Sequence, residues 1–92
     1  MSFKIVYHPL VVRDDIPKLS VKWKSKIQKA IEERLTTQPE TYGKPLRRSL
    51  KGYRKLRVGD HRVIFLFEKN IIKILVIQHR SIVYDRINKQ IL

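Results

Sequence analysis

The sequence predicts an α+β fold in which an N-terminal strand and two helices pack on an antiparallel β-meander. Three observations carry this. Phe3 to His8 alternates Phe3, Ile5 and Tyr7 with Lys4, Val6 and His8, and Pro9 ends the run. Trp23, Ile27, Ala30, Ile31 and Leu35 form an apolar stripe at helical spacing. Three consecutive strand-like runs then follow, Tyr53 to Val58, His61 to Glu68 and Ile71 to His79, joined by the two-residue turns Gly59-Asp60 and Lys69-Asn70.

The remaining elements fall between these. Leu10 to Leu19 has Val11, Val12, Ile16 and Leu19 at helical spacing, and Pro17 limits it to a few turns. Ser20 is the expected N-cap of the longer helix. Thr36 to Gly43 reads as a loop back to the sheet, and Tyr84 to Leu92 as a short final helix. The run from Ile71 to Ile77 puts apolar groups on both faces, which predicts a central strand covered on both sides.

The chain has 92 residues, expected to form a single domain over 1–92, with 21 Lys and Arg against 8 acidic residues and a net charge of +13. Such a charge on so small a body points to a polyanionic partner. It has no cysteine, so a disulfide framework, a zinc knuckle and a thiol nucleophile are excluded. Neither a signal segment nor a membrane span is indicated, and a cytoplasmic location is expected. The charge is uneven: nine basic and five acidic residues lie in 1–46, and twelve and three in 47–92. Between Lys44 and Arg62 lie Lys44, Arg47, Arg48, Lys51, Arg54, Lys55, Arg57 and Arg62, against Asp60 alone.

Alternation along Tyr53 to Val58 places Lys55 and Arg57 on one face, with Arg54, Leu56 and Val58 on the other. The tight turn at Gly59-Asp60 brings Arg62 back beside Lys55 and Arg57, and the end of the last strand brings Arg80 near Arg62. Packing like charges together costs folding energy, which a bound phosphate offsets. Tyr84 follows closely and offers a ring for an unstacked base and a hydroxyl for a phosphate. The three histidines show no metal spacing, and the carboxylates are scattered, so no metal and no cofactor are expected. Metal-free phosphodiester chemistry exists for RNA, whose 2′-OH can attack the adjacent phosphorus. Lys55 is the candidate base, and Arg57, Arg62 and Arg80 suit charge stabilisation.

Two motifs carry a resemblance. Gly43-Lys44-Pro45-Leu46, with the run from Leu50-Lys51-Gly52-Tyr53 through Leu56-Arg57-Val58-Gly59-Asp60-His61-Arg62-Val63 to Phe65, resembles the basic-Leu-Arg-Val-Gly-Asp-aromatic-Arg-Val signature of the RelE/ParE superfamily of bacterial toxins. His79-Arg80 with Val83-Tyr84 resembles that family's C-terminal motif. His61 stands at the usual aromatic position. The closer likeness is to the RelE-like mRNA endoribonucleases. It implies a RelE-like fold with catalytic Lys55, Arg57, Arg62, Arg80 and Tyr84, and substrate contacts from Arg47, Arg48, Lys51, Arg54, His61 and His79. It further implies cleavage of mRNA in the ribosomal A site and neutralisation by a cognate antitoxin, for which the first strand offers an exposed edge. The alternative is a ParE-like, non-enzymatic inhibitor of DNA gyrase, which shares the fold but has no need to converge four cations and a tyrosine.

Overall fold

The computed structural model describes residues 3–36, 44–45 and 52–90. Its centre is a five-stranded sheet in the order β1-β5-β4-β3-β2. β3 (Tyr53–Val58), β4 (His61–Glu68) and β5 (Ile71–His79) form the antiparallel meander, with the boundaries and two-residue turns that alternation predicts. β1 (Lys4–Tyr7) lies at one edge, parallel to β5, with Lys4 opposite Ile71 and Tyr7 opposite Ile74. The two residues of β2 (Lys44–Pro45) pair with Lys55 and Arg54 at the other edge, where the sequence suggested only a connection. The sheet is therefore mixed. Among the described residues its one parallel pair sets Lys4–Tyr7 beside Ile71–Ile74.

Helices cover both faces. Leu10 to Leu19 forms two short helical turns, Val11–Asp15 and Ile16–Lys18, the second starting around Pro17. Helix α1 (Val21–Ala30) opens on Ser20, whose Oγ accepts the Trp23 N–H at 3.3 Å, and runs on through a wider π-helical turn, Ile31–Leu35. Ile27, Ile31 and Leu35 pack with Val11, Leu56, Val63, Phe65, Ile72, Ile74 and Ile77 in the larger core. On the opposite face, Val83 and Ile87 of helix α2 (Val83–Gln90) pack on Ile64 and Val76 in a smaller one. Among the described residues no helix is long and apolar enough to cross a membrane.

A bulge explains how β5 serves both cores. Ile64 pairs with Val76 and Phe65 with Ile74, so Leu75 is an extra residue. Ile74 and Ile77 thus face the α1 side while Val76 faces α2. The continuous apolar run from Ile74 to Ile77 is the sequence trace of that switch.

Beyond Tyr7, β1 leaves the sheet and β5 loses its neighbour. Asp15, 1% exposed, takes the strand's place: Oδ2 accepts the Ile77 N–H at 2.9 Å, and Oδ1 accepts from Gln78 Nε2 at 2.7 Å and from Arg86 Nη2 of α2 at 3.1 Å. One carboxylate thereby ties the helical turns, the central strand and the last helix together.

Candidate functional site

The site lies on the α2 side of the sheet. Period-two alternation directs Lys55 and Arg57 to this face, and the register sets Arg57 opposite Arg62 and Lys55 opposite Ile64. Like charges directly opposite on paired strands destabilise a sheet. The Gly59-Asp60 turn fixes this register. Gly59 has φ +60°, which favours glycine, and a Cβ there would sit 2.4 Å from the Trp23 ring. Both the turn and the packing of α1 against it therefore require glycine.

Arg62 is anchored at the turn, its Nη1 donating to the carbonyls of Gly59 and His61, each at 2.9 Å. Those two bonds restrict the guanidinium before any ligand arrives. Arg80 begins where β5 ends. Its N–H donates to the Asp60 carbonyl at 2.8 Å and its Nε lies 3.9 Å from Asp60 Oδ1. Both side chains of that pair are more than 60% exposed, so it holds Arg80 only weakly. Tyr84, in the first turn of α2 and 52% exposed, accepts a hydrogen bond from Lys55 Nζ at 3.3 Å. The ammonium also lies 5.9 Å from the Tyr84 ring centroid. Chain positions far apart in sequence thus meet as a lysine–phenol pair on a face that also carries Arg57 and Arg62.

The other predicted contacts are dispersed. Arg54 lies on the opposite face, opposite Phe65. His61 pairs with His79 across β4 and β5 and with Val58 across β3 and β4, which turns it to the α1 side. Its ring centroid is 4.7 Å from that of Trp23 and 5.8 Å from that of His79. His79 is exposed and its Nδ1 bonds to Ser81, with the hydroxyl at 2.9 Å and the backbone N–H at 3.1 Å. Arg47, Arg48 and Lys51 lie outside the described residues. Asp15 and Arg86, which hold α2 and hence Tyr84 in place, were not predicted; no local pattern marks an aspartate whose partners lie more than sixty residues away. Among the described residues no cluster of His, Asp and Glu could hold a metal ion. A groove of about 320 Å³ on the α1 side, lined by Tyr7, Val12, Ile16, Leu19, Ile27 and Ile31 among others, contains none of the predicted residues.

Burial holds the pKa of His61 below its ordinary 6.5, with His79 and Arg62 adding to the effect and Asp60 opposing it. Its Nδ1 is buried without a hydrogen-bond partner among the described residues. Below pH 6.5 the unfolded chain binds a proton that the fold resists, so this contribution is complete above pH 6.5 and is lost as pH falls toward the lowered value. His61→Phe, which keeps the ring, should therefore lose less stability than the parent between pH 7.5 and 5.5, as urea midpoints at the two pH values would show. Equal losses would mean that the imidazole binds its proton equally well in the folded and unfolded states.

This mixed α+β fold, a sheet between two helical layers, matches that of solved RelE toxins. The chain is similar to a protein in the toxin–antitoxin complex RelBE2 from Mycobacterium tuberculosis, at 26% identity over 87% of this chain and 100% of that one, with a TM-score of 0.80. It is also similar in fold to a mutant of the Escherichia coli toxin RelE in the free state, at 18% identity over the whole of both chains and a TM-score of 0.75. The archaeal RelE–RelB complex from Pyrococcus horikoshii contains a third similar chain, at 22% identity over 88% of this chain and 98% of that one, with a TM-score of 0.65. No curated protein matches by sequence. The family model for the ParE toxin of the type II toxin–antitoxin system parDE matches residues 2–84. The chain belongs to this family, within the RelE/ParE superfamily, and is the toxin of a type II toxin–antitoxin module.

Proposed function

We propose that this toxin is a metal-independent endoribonuclease that cleaves mRNA in the ribosomal A site and so inhibits translation in the cytoplasm. The observation that carries the reading is the Lys55–Tyr84 hydrogen bond at 3.3 Å on the face that bears Arg57 and Arg62. In the proposed reaction the Lys55 amine takes the proton of the substrate 2′-OH. The O2′–P bond forms and the P–O5′ bond breaks, with the O5′ leaving oxygen taking a proton from the Tyr84 hydroxyl. The Lys55 ammonium then returns a proton to the phenolate along their shared hydrogen bond, restoring both groups. Arg57, Arg62 and Arg80 hold the pentacoordinate anion, whose extra charge appears only in the transition state. Arg47, Arg48, Lys51, Arg54, His61 and His79 remain proposed contacts to RNA beyond the reacting phosphate. A cognate antitoxin is the proposed neutralising partner, as in the complexes that contain the similar chains from M. tuberculosis and P. horikoshii.

A purified ribosome programmed with a defined mRNA provides the test. Cleavage within the A-site codon should persist in EDTA and leave 2′,3′-cyclic phosphate and 5′-hydroxyl ends. Products bearing a 5′-phosphate would overturn the mechanism. A second reading, inhibition of DNA gyrase without RNA cleavage, is favoured by the match to the ParE family model. Loss of gyrase supercoiling on addition of the toxin, with mRNA intact, would establish it.

A further inference from the structure

Helix α1 carries an exposed stripe of Lys22, Ser25, Lys26 and Lys29, which meets the exposed Glu33 one turn further on. Two electrostatic preferences of a helix are violated there. Lys22 and Lys26 repel at i, i+4, and lysines occupy a first turn where the helix dipole favours acids. From Val21 to Ala30 there is no acidic residue, and among the described residues these three lysines enter no ion pair. Such local conflicts collect where an external ligand compensates them.

The stripe is joined to the catalytic face by direct contacts. Lys26 Nζ sits 5.1 Å from the Trp23 ring centroid. Trp23 in turn packs against Gly59 and against His61, and it is the Gly59 and His61 carbonyls that hold Arg62. Trp23 and His61, beside the exposed Asp60 at the tip of the β3–β4 hairpin, thus connect Arg62 to Lys26 on the outer surface of α1. The four stripe residues offer no apolar side chain, whereas a protein interface needs an apolar core. Lysine point charges without such a core suit a sugar–phosphate backbone bound without regard to sequence.

We propose that the Lys22-Lys26-Lys29 face of α1 binds the phosphate backbone of RNA flanking the reacting dinucleotide, extending the RNA path around the hairpin tip. This rests on the RNase reading for its direction, but its test reads binding alone. The probes are a labelled trinucleotide and a long single strand, both 2′-O-methylated and hence uncleavable, titrated by fluorescence anisotropy across a range of KCl concentrations. The triple variant Lys22→Gln/Lys26→Gln/Lys29→Gln alters only exposed side chains. For the long strand its salt slope should be shallower by about 2, from three lost contacts at about 0.7 each, while trinucleotide affinity is unchanged. An unchanged long-strand slope overturns the proposal, as does loss of affinity for a glutamate-rich peptide with RNA binding intact, which would make the stripe a protein-docking surface. If the slope falls as expected but the parent fails to cleave unmodified RNA on ribosomes, the RNA track stands and the nuclease reading fails.

Discussion

Arg62→Ala should lower the single-turnover rate of mRNA cleavage by about a hundredfold or more, the loss expected when one preorganised charge donor is removed from a transition state. The two 2.9 Å bonds to Gly59 and His61 already fix the guanidinium, so little ordering remains for the reaction itself. RNA affinity should change less than rate, because the ground-state phosphate carries less charge than the pentacoordinate anion. Arg80→Ala should show a milder defect, since among the described residues its side chain is held only by the long, exposed ion pair with Asp60. Rapid-quench measurement of a radiolabelled transcript on purified ribosomes separates rate from binding. Wild-type cleavage by Arg62→Ala would reduce the basic face to a solvated rim.

Asp15→Ala should cost about 3 kcal/mol, toward the lower end for breaking a buried charge pair because Arg86 is 24% exposed and can partly rehydrate. For a domain of this size that corresponds to a fall in Tm of more than about 10 °C. The Ile77 N–H and the Gln78 amide, both buried, would lose their acceptor. Asp15→Asn, which retains one acceptor oxygen, should lose clearly less. Calorimetry of the two variants decides. If they melt alike and close to the parent, the carboxylate is not what fastens α2 to β5.

Much of the fold was legible because its signals are local. Period-two alternation and two-residue turns marked β3, β4 and β5 to the residue, and Ser20 marked the start of α1. The same alternation placed Lys55 and Arg57 together and set Arg54 on the other face. It also bears on His61, which the hairpin register turns toward Trp23 and away from the cations. What escaped was non-local. The parallel pairing of β1 with β5, the pairing of Lys44–Pro45 with β3 and the reach of Asp15 to Arg86 depend on partners that no window of sequence contains. The Leu75 bulge left a trace as an unbroken apolar run, which alone reads equally as a strand buried on both faces.

The pairing of β1 with β5 also governs the order of events during synthesis. The meander and its turns are local and can form as soon as the second half of the chain is free. The first strand, though made first, has no neighbour until Ile71 to Ile74 emerge, and Asp15 has no partners until Ile77, Gln78 and Arg86 follow. Closure of loops of more than sixty residues is thus required before the fold is complete. On a translating ribosome the nascent toxin therefore stays unfinished until Ile71 to Arg86 have left the exit tunnel.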